Sequence, residues 1–140
     1  MALTAILDTR FYFSYYNPES EAVLKWAKDF IRRVIRGEIR AASSVITIIE
    51  LYRTMGRVIG KEAMSIRISS IKAANIGFIP ITEEIAKIAG EIVLKNPKVP
   101  IADAIIAATA IKYSRGVVVT DDPHFNSIKG VKSLWLGKIG

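Results

Sequence analysis

Two patterns of apolar residues alternate along the chain, one typical of buried strands and one typical of helices, and their order predicts the fold. Short, mostly apolar runs are typical of strands in a parallel sheet whose two faces are both covered. Between these runs, apolar residues recur every three or four positions, as on a helix with one buried face. The predicted strands lie near residues 3–8, 39–43, 76–81, 116–120 and 131–136. Because strands and helices alternate, we predict an α/β fold, a three-layer α/β/α sandwich around a central parallel sheet of about five strands.

Residues that favour helix starts mark the expected boundaries. Asn17 and Pro18 suit the N-cap and the first position of the first predicted helix. Ser44 or Thr47 is placed to cap the next helix, and Thr82 precedes a later one. The aromatic-rich run between the first strand and Asn17 is interpreted as a segment that leads into the first helix.

Composition narrows the possible functions. The chain has 140 residues and no cysteine, which excludes zinc ribbons, thiol nucleophiles, iron–sulfur sites and disulfide scaffolds. Its only histidine, His124, excludes a two-histidine mechanism within one chain. A formal net charge of +7 favours a polyanionic partner such as nucleic acid. No repeat, linker or low-complexity segment is present, so we predict a single domain over residues 1–140.

No segment has the pattern of a membrane span or a secretory signal. The longest nearly uncharged apolar run, residues 101–111, is too short to cross a bilayer and contains Asp103. The amino terminus begins almost at once with a strand rather than with a basic segment and an apolar signal core. We therefore expect no membrane association and a cytoplasmic location.

Acidic residues occur where the pattern predicts burial. Asp8 ends the first predicted strand, and Asp121 and Asp122 directly follow the fourth. If these strands are neighbours, their acids meet, because sites in parallel sheets form beyond the carboxyl ends of the strands. Glu50 and Asp103 interrupt apolar helical faces, where carboxylates are seldom found unless they are paired or metal-bound. Together these residues predict one acidic pocket.

Such a pocket needs a compensating charge. Several buried carboxylates cannot all stay ionised without strong mutual repulsion, so some hold protons or a divalent cation binds. Carboxylates and water, with no histidine or cysteine among the ligands, suit hard ions such as Mg²⁺ or Mn²⁺. An acidic metal pocket in a basic protein is what hydrolysis of a phosphodiester needs.

Four stretches carry a resemblance to a known family. "ILDTRFYF", "SSVITIIEL", "VPIADAIIAATAI" and "VVVTDDPHF" resemble, in order and over essentially the whole chain, the four motifs of PIN-domain ribonucleases. The similarity is strongest to the VapC toxins of toxin–antitoxin pairs. The resemblance implies a PIN-like fold and a metal-dependent endoribonuclease, a hydrolase of RNA that serves as the toxin of a type II pair. It also implies a homodimer and inhibition by a VapB-type antitoxin whose tail enters the active-site groove.

The resemblance also assigns site residues. It implies one or two Mg²⁺ or Mn²⁺ ions held by four catalytic acids, namely Asp8, Glu50, Asp103 and Asp122. Asp121 fills the variable slot beside the fourth acid and is the alternative ligand there. Thr9 and Thr120 are expected to donate hydrogen bonds to the acids or to water in the site.

Other residues and other functions stay open at this point. Arg10 is the candidate for contact with RNA, whereas most of the neighbouring aromatic residues are interpreted as core and dimer packing. His124 is interpreted as a structural loop residue rather than a proton shuttle. The alternative functions are a PIN nuclease of rRNA or tRNA processing and a non-catalytic RNA-binding PIN module. A phosphoacceptor receiver domain is disfavoured, because "LDTR" replaces the acidic pair expected after its first strand.

Overall fold

Five short strands form the sheet in the computed structural model, which describes residues 3–136. The strands are β1 (Ala5–Leu7), β2 (Ala41–Ser44), β3 (Gly77–Ile79), β4 (Val117–Val119) and β5 (Lys132–Leu134). They pair in parallel in the order β3-β2-β1-β4-β5. The predicted central parallel sheet of about five strands is confirmed.

Six α-helices connect these strands within residues 3–136. They are α1 (Thr9–Tyr16), α2 (Glu21–Ile35), α3 (Ile46–Ile59), α4 (Lys61–Ala73), α5 (Glu83–Lys95) and α6 (Ile101–Tyr113). A short 3₁₀ helix at Pro123–Ser127 follows β4. None of the helices in this part of the chain is long and apolar enough to cross a membrane.

Successive residues of β1 face two apolar cores, one on each side of the sheet. Leu7 packs in one core with Phe11 of α1 and Phe30 of α2. Ile6 packs in the other with Ile106 of α6. Side chains alternate between the two faces of a strand, so a strand buried on both sides contributes to both cores. The three predicted layers are confirmed.

The sequence prediction missed α1. Asp8 is the N-cap of this helix, and its Oδ1 accepts a hydrogen bond from the Thr9 N–H at 2.8 Å. Asn17 is the C-cap of α1 and not the predicted N-cap, while Ser20 caps α2 by accepting from the Val23 N–H. The helix has only eight residues, and aromatic side chains on several of its sides leave no clear polar stripe. A helical period was therefore not visible in the sequence.

The aromatic residues of α1 serve mainly in packing, as predicted. The Phe11 ring lies 5.6 Å from the Tyr12 ring, 5.7 Å from Trp26 and 5.1 Å from Phe30, measured between centroids. Phe11 and Tyr12 are both buried. Aromatic pairs at these separations stabilise a core beyond the area that they bury.

The other predicted caps have mixed outcomes. Thr82 caps α5, with its hydroxyl accepting from the Ile85 N–H at 3.2 Å. Ser44 accepts from the Ile46 N–H at 3.2 Å just before α3. Thr47 lies inside α3 and caps nothing, because its side chain faces the carboxyl edge of the sheet.

The neighbouring strands β1 and β4 determine where the site lies. Leu7 is opposite Val119, and the Asp8 N–H donates to the Val119 carbonyl at 3.1 Å. The residues that follow the two strands therefore meet at one edge of the sheet. The sequence analysis expected the acids to meet if these two strands are neighbours, and the pairing of β1 with β4 confirms that condition.

Gly116 fixes the entrance to β4. Its φ is +84°, and a Cβ atom there would lie 1.8 Å from the carbonyl oxygen of Gly130. Only glycine combines this backbone angle with so close an approach. The contact brings the loop before β5 against the start of β4 and so helps position the segment at Pro123–Ser127 between them.

Candidate functional site

Asp8 lies at the carboxyl end of β1 with its side chain enclosed. The residue is 2% exposed. Its Oδ1 accepts from the Thr9 N–H at 2.8 Å, and its Oδ2 accepts from the Thr120 hydroxyl at 2.7 Å. Each carboxylate oxygen has a donor, so the orientation of the group is fixed from two sides.

Thr9 connects Glu50 to the same edge. The Thr9 hydroxyl donates to Glu50 Oε1 at 2.6 Å and lies 3.0 Å from the hydroxyl oxygen of Thr47. Thr9 and Thr47 are buried, whereas Glu50 is half-buried. Thr47, one turn before Glu50 on α3, is a site residue that sequence reasoning assigned only to a possible cap.

Asp103 and Asp122 approach each other across the carboxyl edge. Asp103 lies in the first turn of α6 and is 8% exposed. His124 Nδ1 lies 2.8 Å from Asp122 Oδ1 and 3.3 Å from Asp103 Oδ2. The three residues each offer one ligand atom, and these atoms all lie within 4.8 Å of one another.

Thr120 joins the two halves of the site. Its hydroxyl donates to Asp8 Oδ2 at 2.7 Å and accepts from the Asp122 N–H at 3.0 Å. Thr120 is 1% exposed, so both hydrogen bonds are shielded from bulk water. The position of Asp122 therefore depends on the same hydroxyl that orients Asp8.

Asp121 has a different partner from Asp122. Its carboxylate accepts from Arg10 Nε at 2.9 Å and from Arg10 Nη2 at 3.2 Å, which makes a two-pronged ion pair. The pair is partly exposed, with 49% of the Arg10 side chain accessible to solvent. Asp122 instead accepts from the His124 N–H at 2.9 Å. The two neighbouring acids thus belong to separate interactions.

Sequence reasoning interpreted His124 as a structural loop residue rather than a proton shuttle, and it did not foresee the contacts of its ring. The ring nitrogen lies between Asp103 and Asp122. The sequence feature that could have indicated this contact is the position of His124 two residues after Asp122 in the same motif. The 3₁₀ helix turns the chain back over that short span and brings the ring to the acids.

Burial and mutual repulsion change the acidity of two of the acids. Desolvation raises the pKa of Asp8 to about 6, with smaller contributions from the charges of Glu50 and Asp122, while hydrogen bonds from Thr120 and Thr9 oppose the change. Desolvation also raises the pKa of Asp103 to about 7. The charges of Asp122 and Asp8 add to this increase, and His124 opposes it.

These acids should make the cation-free protein less stable as pH rises. The unfolded Asp8 carboxyl titrates at its ordinary pKa of 3.8, whereas the folded one has a pKa of about 6. Between these values the folded state holds more protons, so its free energy of unfolding falls with rising pH, by about 3 kcal/mol for Asp8. Stability is fully present below about pH 4 and lost as pH rises through 6 to 7.

Urea unfolding in chelator at pH 4.5 and pH 8 measures this effect. We expect Asp103→Asn to lose part of the pH dependence, whereas Asp29→Asn, which removes an exposed acid on α2, retains all of it. An identical pH dependence in the Asp103 variant and the parent protein would contradict the assignment.

The donor set fits a divalent cation. Two enclosed aspartates, a half-buried glutamate and Asp122 present oxygen atoms at one edge, and oxygen is the ligand that Mg²⁺ and Mn²⁺ prefer. The pKa values of Asp8 and Asp103 are raised first by desolvation and then by the charges of neighbouring acids, and a bound cation would offset both effects. Asp8, Glu50, Asp103 and Asp122 are the residues that could hold the ion.

Comparisons with known proteins agree with this architecture. A family model for the PIN domain matches residues 5–131. DNA-bound VapBC from Salmonella typhimurium contains a chain that is 24% identical, with a TM-score of 0.71 and coverage of 96% of this chain and 99% of that one. For VapBC2 from Rickettsia felis bound to a promoter DNA fragment, the identity is 17%, the TM-score 0.70 and the coverage 94% and 97%.

FitAcB from Neisseria gonorrhoeae contains another similar chain. Its identity is 21% and its TM-score 0.65, with 92% of this chain and 95% of that chain covered. No curated protein matches the chain. The structural similarities support the fold, and the family model spans all four acidic positions. The chain belongs to the PIN domain family.

Proposed function

We propose that the protein is a metal-dependent endoribonuclease that hydrolyses RNA phosphodiester bonds. One observation carries the proposal: Asp8, Glu50, Asp103 and Asp122 converge at one edge of the sheet in a protein with a net charge of +7. A basic surface attracts a polyanion over a distance, whereas an acidic pocket alone repels it. A cation in the pocket reconciles these two properties.

The proposed reaction is attack of water on phosphorus in line with the leaving oxygen. A bound Mg²⁺ or Mn²⁺ supplies activation of water and neutralises charge on the phosphate. The bond between phosphorus and the 3′ oxygen breaks, so the products carry a 5′-phosphate and a 3′-hydroxyl. Asp8, Glu50, Asp103 and Asp122 hold the ion, and Thr9 and Thr120 keep two of these acids in place.

Cleavage of labelled RNA of mixed sequence tests the proposal. We expect cutting with Mn²⁺ or Mg²⁺, no cutting in excess chelator, and 5′-phosphate at the new ends. Equal cutting in chelator would refute the mechanism. If no RNA is cut, calorimetry with Mn²⁺ separates two cases, because a non-catalytic binding module needs no cation whereas a nuclease with narrow specificity still binds one.

We further propose that the protein is a toxin in the cytoplasm, restrained by a VapB-type antitoxin and active as a homodimer. The similar chains come from structures of VapBC and FitAcB, and the similarity extends over nearly their whole length. Val58, Leu94 and Ile101, at 86%, 80% and 73% exposure, are apolar side chains available for contact with a protein partner. A light-scattering mass of twice the chain mass is expected for the purified protein.

The role as a toxin has its own test. A small antitoxin-like reading frame should adjoin the gene, and its product should suppress both RNA cleavage and growth arrest on co-expression. Cleavage that this product leaves unchanged would favour the alternative, a PIN nuclease of rRNA or tRNA processing.

Replacing Thr120 tests whether its hydroxyl holds Asp8 and Asp122 in position. Thr120→Val keeps the shape but leaves Asp8 Oδ2 and the Asp122 N–H without their shared hydroxyl. We expect the free energy of unfolding to fall by about 2 kcal/mol and cleavage to fall about tenfold. Thr120→Ser, which restores the hydroxyl, is the matched control. A loss in Thr120→Ser with none in Thr120→Val would mean that the methyl group, not the hydroxyl, matters.

Arg10 remains our proposed RNA contact. Its guanidinium is half exposed beside the acids and is held by Asp121, so it is positioned to meet a phosphate group. We expect Arg10→Gln to raise KM about tenfold with little change in kcat. A fall in kcat at unchanged KM would instead indicate that Arg10 acts on the reacting phosphate or on the site's geometry.

A further inference from the structure

His124 contacts two of the four acids, and the proposed function gives it no role. Its Nδ1 is 2.8 Å from Asp122 Oδ1 and 3.3 Å from Asp103 Oδ2. The backbone N–H of His124 donates to the same Asp122 oxygen at 2.9 Å, so the main chain as well as the ring is anchored at this acid. The ring nitrogen therefore has a defined place between two acids.

The two separations at Nδ1 differ from each other: the 2.8 Å to Asp122 fits a hydrogen bond as well as a shared ion, and the one to Asp103 does not fit a hydrogen bond so well. A charge-assisted hydrogen bond between nitrogen and carboxylate oxygen measures about 2.7–2.9 Å. The 3.3 Å separation between His124 and Asp103 is longer than this. Adjacent ligands of an octahedral Mg²⁺ or Mn²⁺ lie about 3 Å apart, since each is about 2.1 Å from the ion. Both separations at Nδ1 are close to that spacing, and all three ligand atoms lie within 4.8 Å of one another.

We propose that His124 Nδ1 is a direct ligand of the divalent cation, together with Asp103 and Asp122, and that it makes the site prefer Mn²⁺ to Mg²⁺. The inference rests on the proposed function, because it concerns the same cation. In the neutral ring with its proton on Nε2, Nδ1 presents a lone pair to the ion. Mg²⁺ is a hard ion that favours oxygen, whereas first-row transition metals accept imidazole nitrogen readily.

The composition of the chain makes a direct test possible. His124 is the only histidine among the 140 residues, so an imidazole signal from a tag-free protein comes from this residue alone. Pulsed electron paramagnetic resonance of the Mn²⁺-loaded protein detects a nitrogen nucleus bonded to the ion. We expect this nitrogen coupling in the parent protein and its loss in His124→Gln.

Calorimetry supplies the second readout. We expect His124→Gln to lower the ratio of Mn²⁺ affinity to Mg²⁺ affinity about tenfold, because only Mn²⁺ gains from the nitrogen ligand. Nearly half of the His124 side chain is exposed, so the substitution leaves no core cavity. Asn126→Ala, an exposed change in the same 3₁₀ helix, is the control and should retain both the nitrogen coupling and the affinity ratio.

The outcomes distinguish the inference from the function on which it rests. Mn²⁺ that binds without nitrogen coupling, and is lost in Asp103→Asn, would overturn the role of His124 and leave the nuclease proposal in place. A parent protein that binds no Mn²⁺ would overturn both. Nitrogen coupling that survives in His124→Gln would place the ion elsewhere and would also reject the inference.

Discussion

Replacing Asp8 with Asn is expected to reduce metal-dependent RNA cleavage on the order of 1,000-fold while the protein stays folded. The amide keeps the shape of the carboxyl and can still accept from the Thr9 N–H, so α1 retains its N-cap. It lacks the negative charge that attracts the cation. The measurement is the initial rate of cleavage of labelled RNA at saturating Mn²⁺, with circular dichroism to verify folding.

The same variant should be more stable than the parent in chelator at pH 8. Burial raises the pKa of Asp8 to about 6, so at pH 8 the folded parent holds a desolvated charge that the unfolded chain exposes to water. Removing that charge should raise the free energy of unfolding by about 1–3 kcal/mol, less any hydrogen bond lost at Thr120. At pH 4.5 the gain should be about a third as large, because the parent's carboxyl is then protonated when folded but still mostly ionised when unfolded.

Opposite changes in activity and stability are specific to a functional acid. Asp29→Asn, at an exposed position on α2, should change neither cleavage nor stability by much. If Asp8→Asn lost both activity and stability at pH 8, Asp8 would be better described as a structural N-cap. If it kept activity, the assignment of the metal site would fail.

Much of the fold could be predicted from the sequence, because the spacing of apolar residues and the helix caps are properties of short segments. The strand β1 is apolar on both faces, and α5 begins after a threonine cap with two acids in its first turn, so pattern and capping agree there. The helix α1 escaped detection because its eight residues are rich in aromatic side chains and pack on several sides. Tertiary surroundings, not local preference, determine a helix of that length.

The sequence was sufficient to predict the individual acids of the site, but it was not sufficient to predict the residues that contact them. Asp8, Glu50 and Asp103 each interrupt an apolar pattern, and this interruption can be recognised in the sequence alone. The contacts of Thr47 and His124 cannot, because they depend on the rotation of α3 and on the turn of the 3₁₀ helix. Short side chains reach specific partners only after the backbone around them is fixed.

The adjacent acids Asp121 and Asp122 provide the sharpest test of the site. Sequence left both as possible fourth ligands, and the structure gives them different partners. Asp121 forms an ion pair with Arg10, whereas Asp122 lies beside His124 and raises the pKa of Asp103 through its charge. We therefore expect Asp122→Asn to reduce cleavage about 100-fold or more, and Asp121→Asn to reduce it about threefold or less.

The two variants are matched controls for each other, since they make the same chemical change at neighbouring positions. Asp122→Asn should also weaken Mn²⁺ binding in calorimetry, because one ligand loses its charge. Asp121→Asn should leave Mn²⁺ affinity unchanged and affect KM for RNA, because it releases Arg10 from its partner. If the losses were reversed, with Asp121 essential and Asp122 dispensable, the cation would bind on the Arg10 side of the site, and the proposed contact of His124 with it would fail as well.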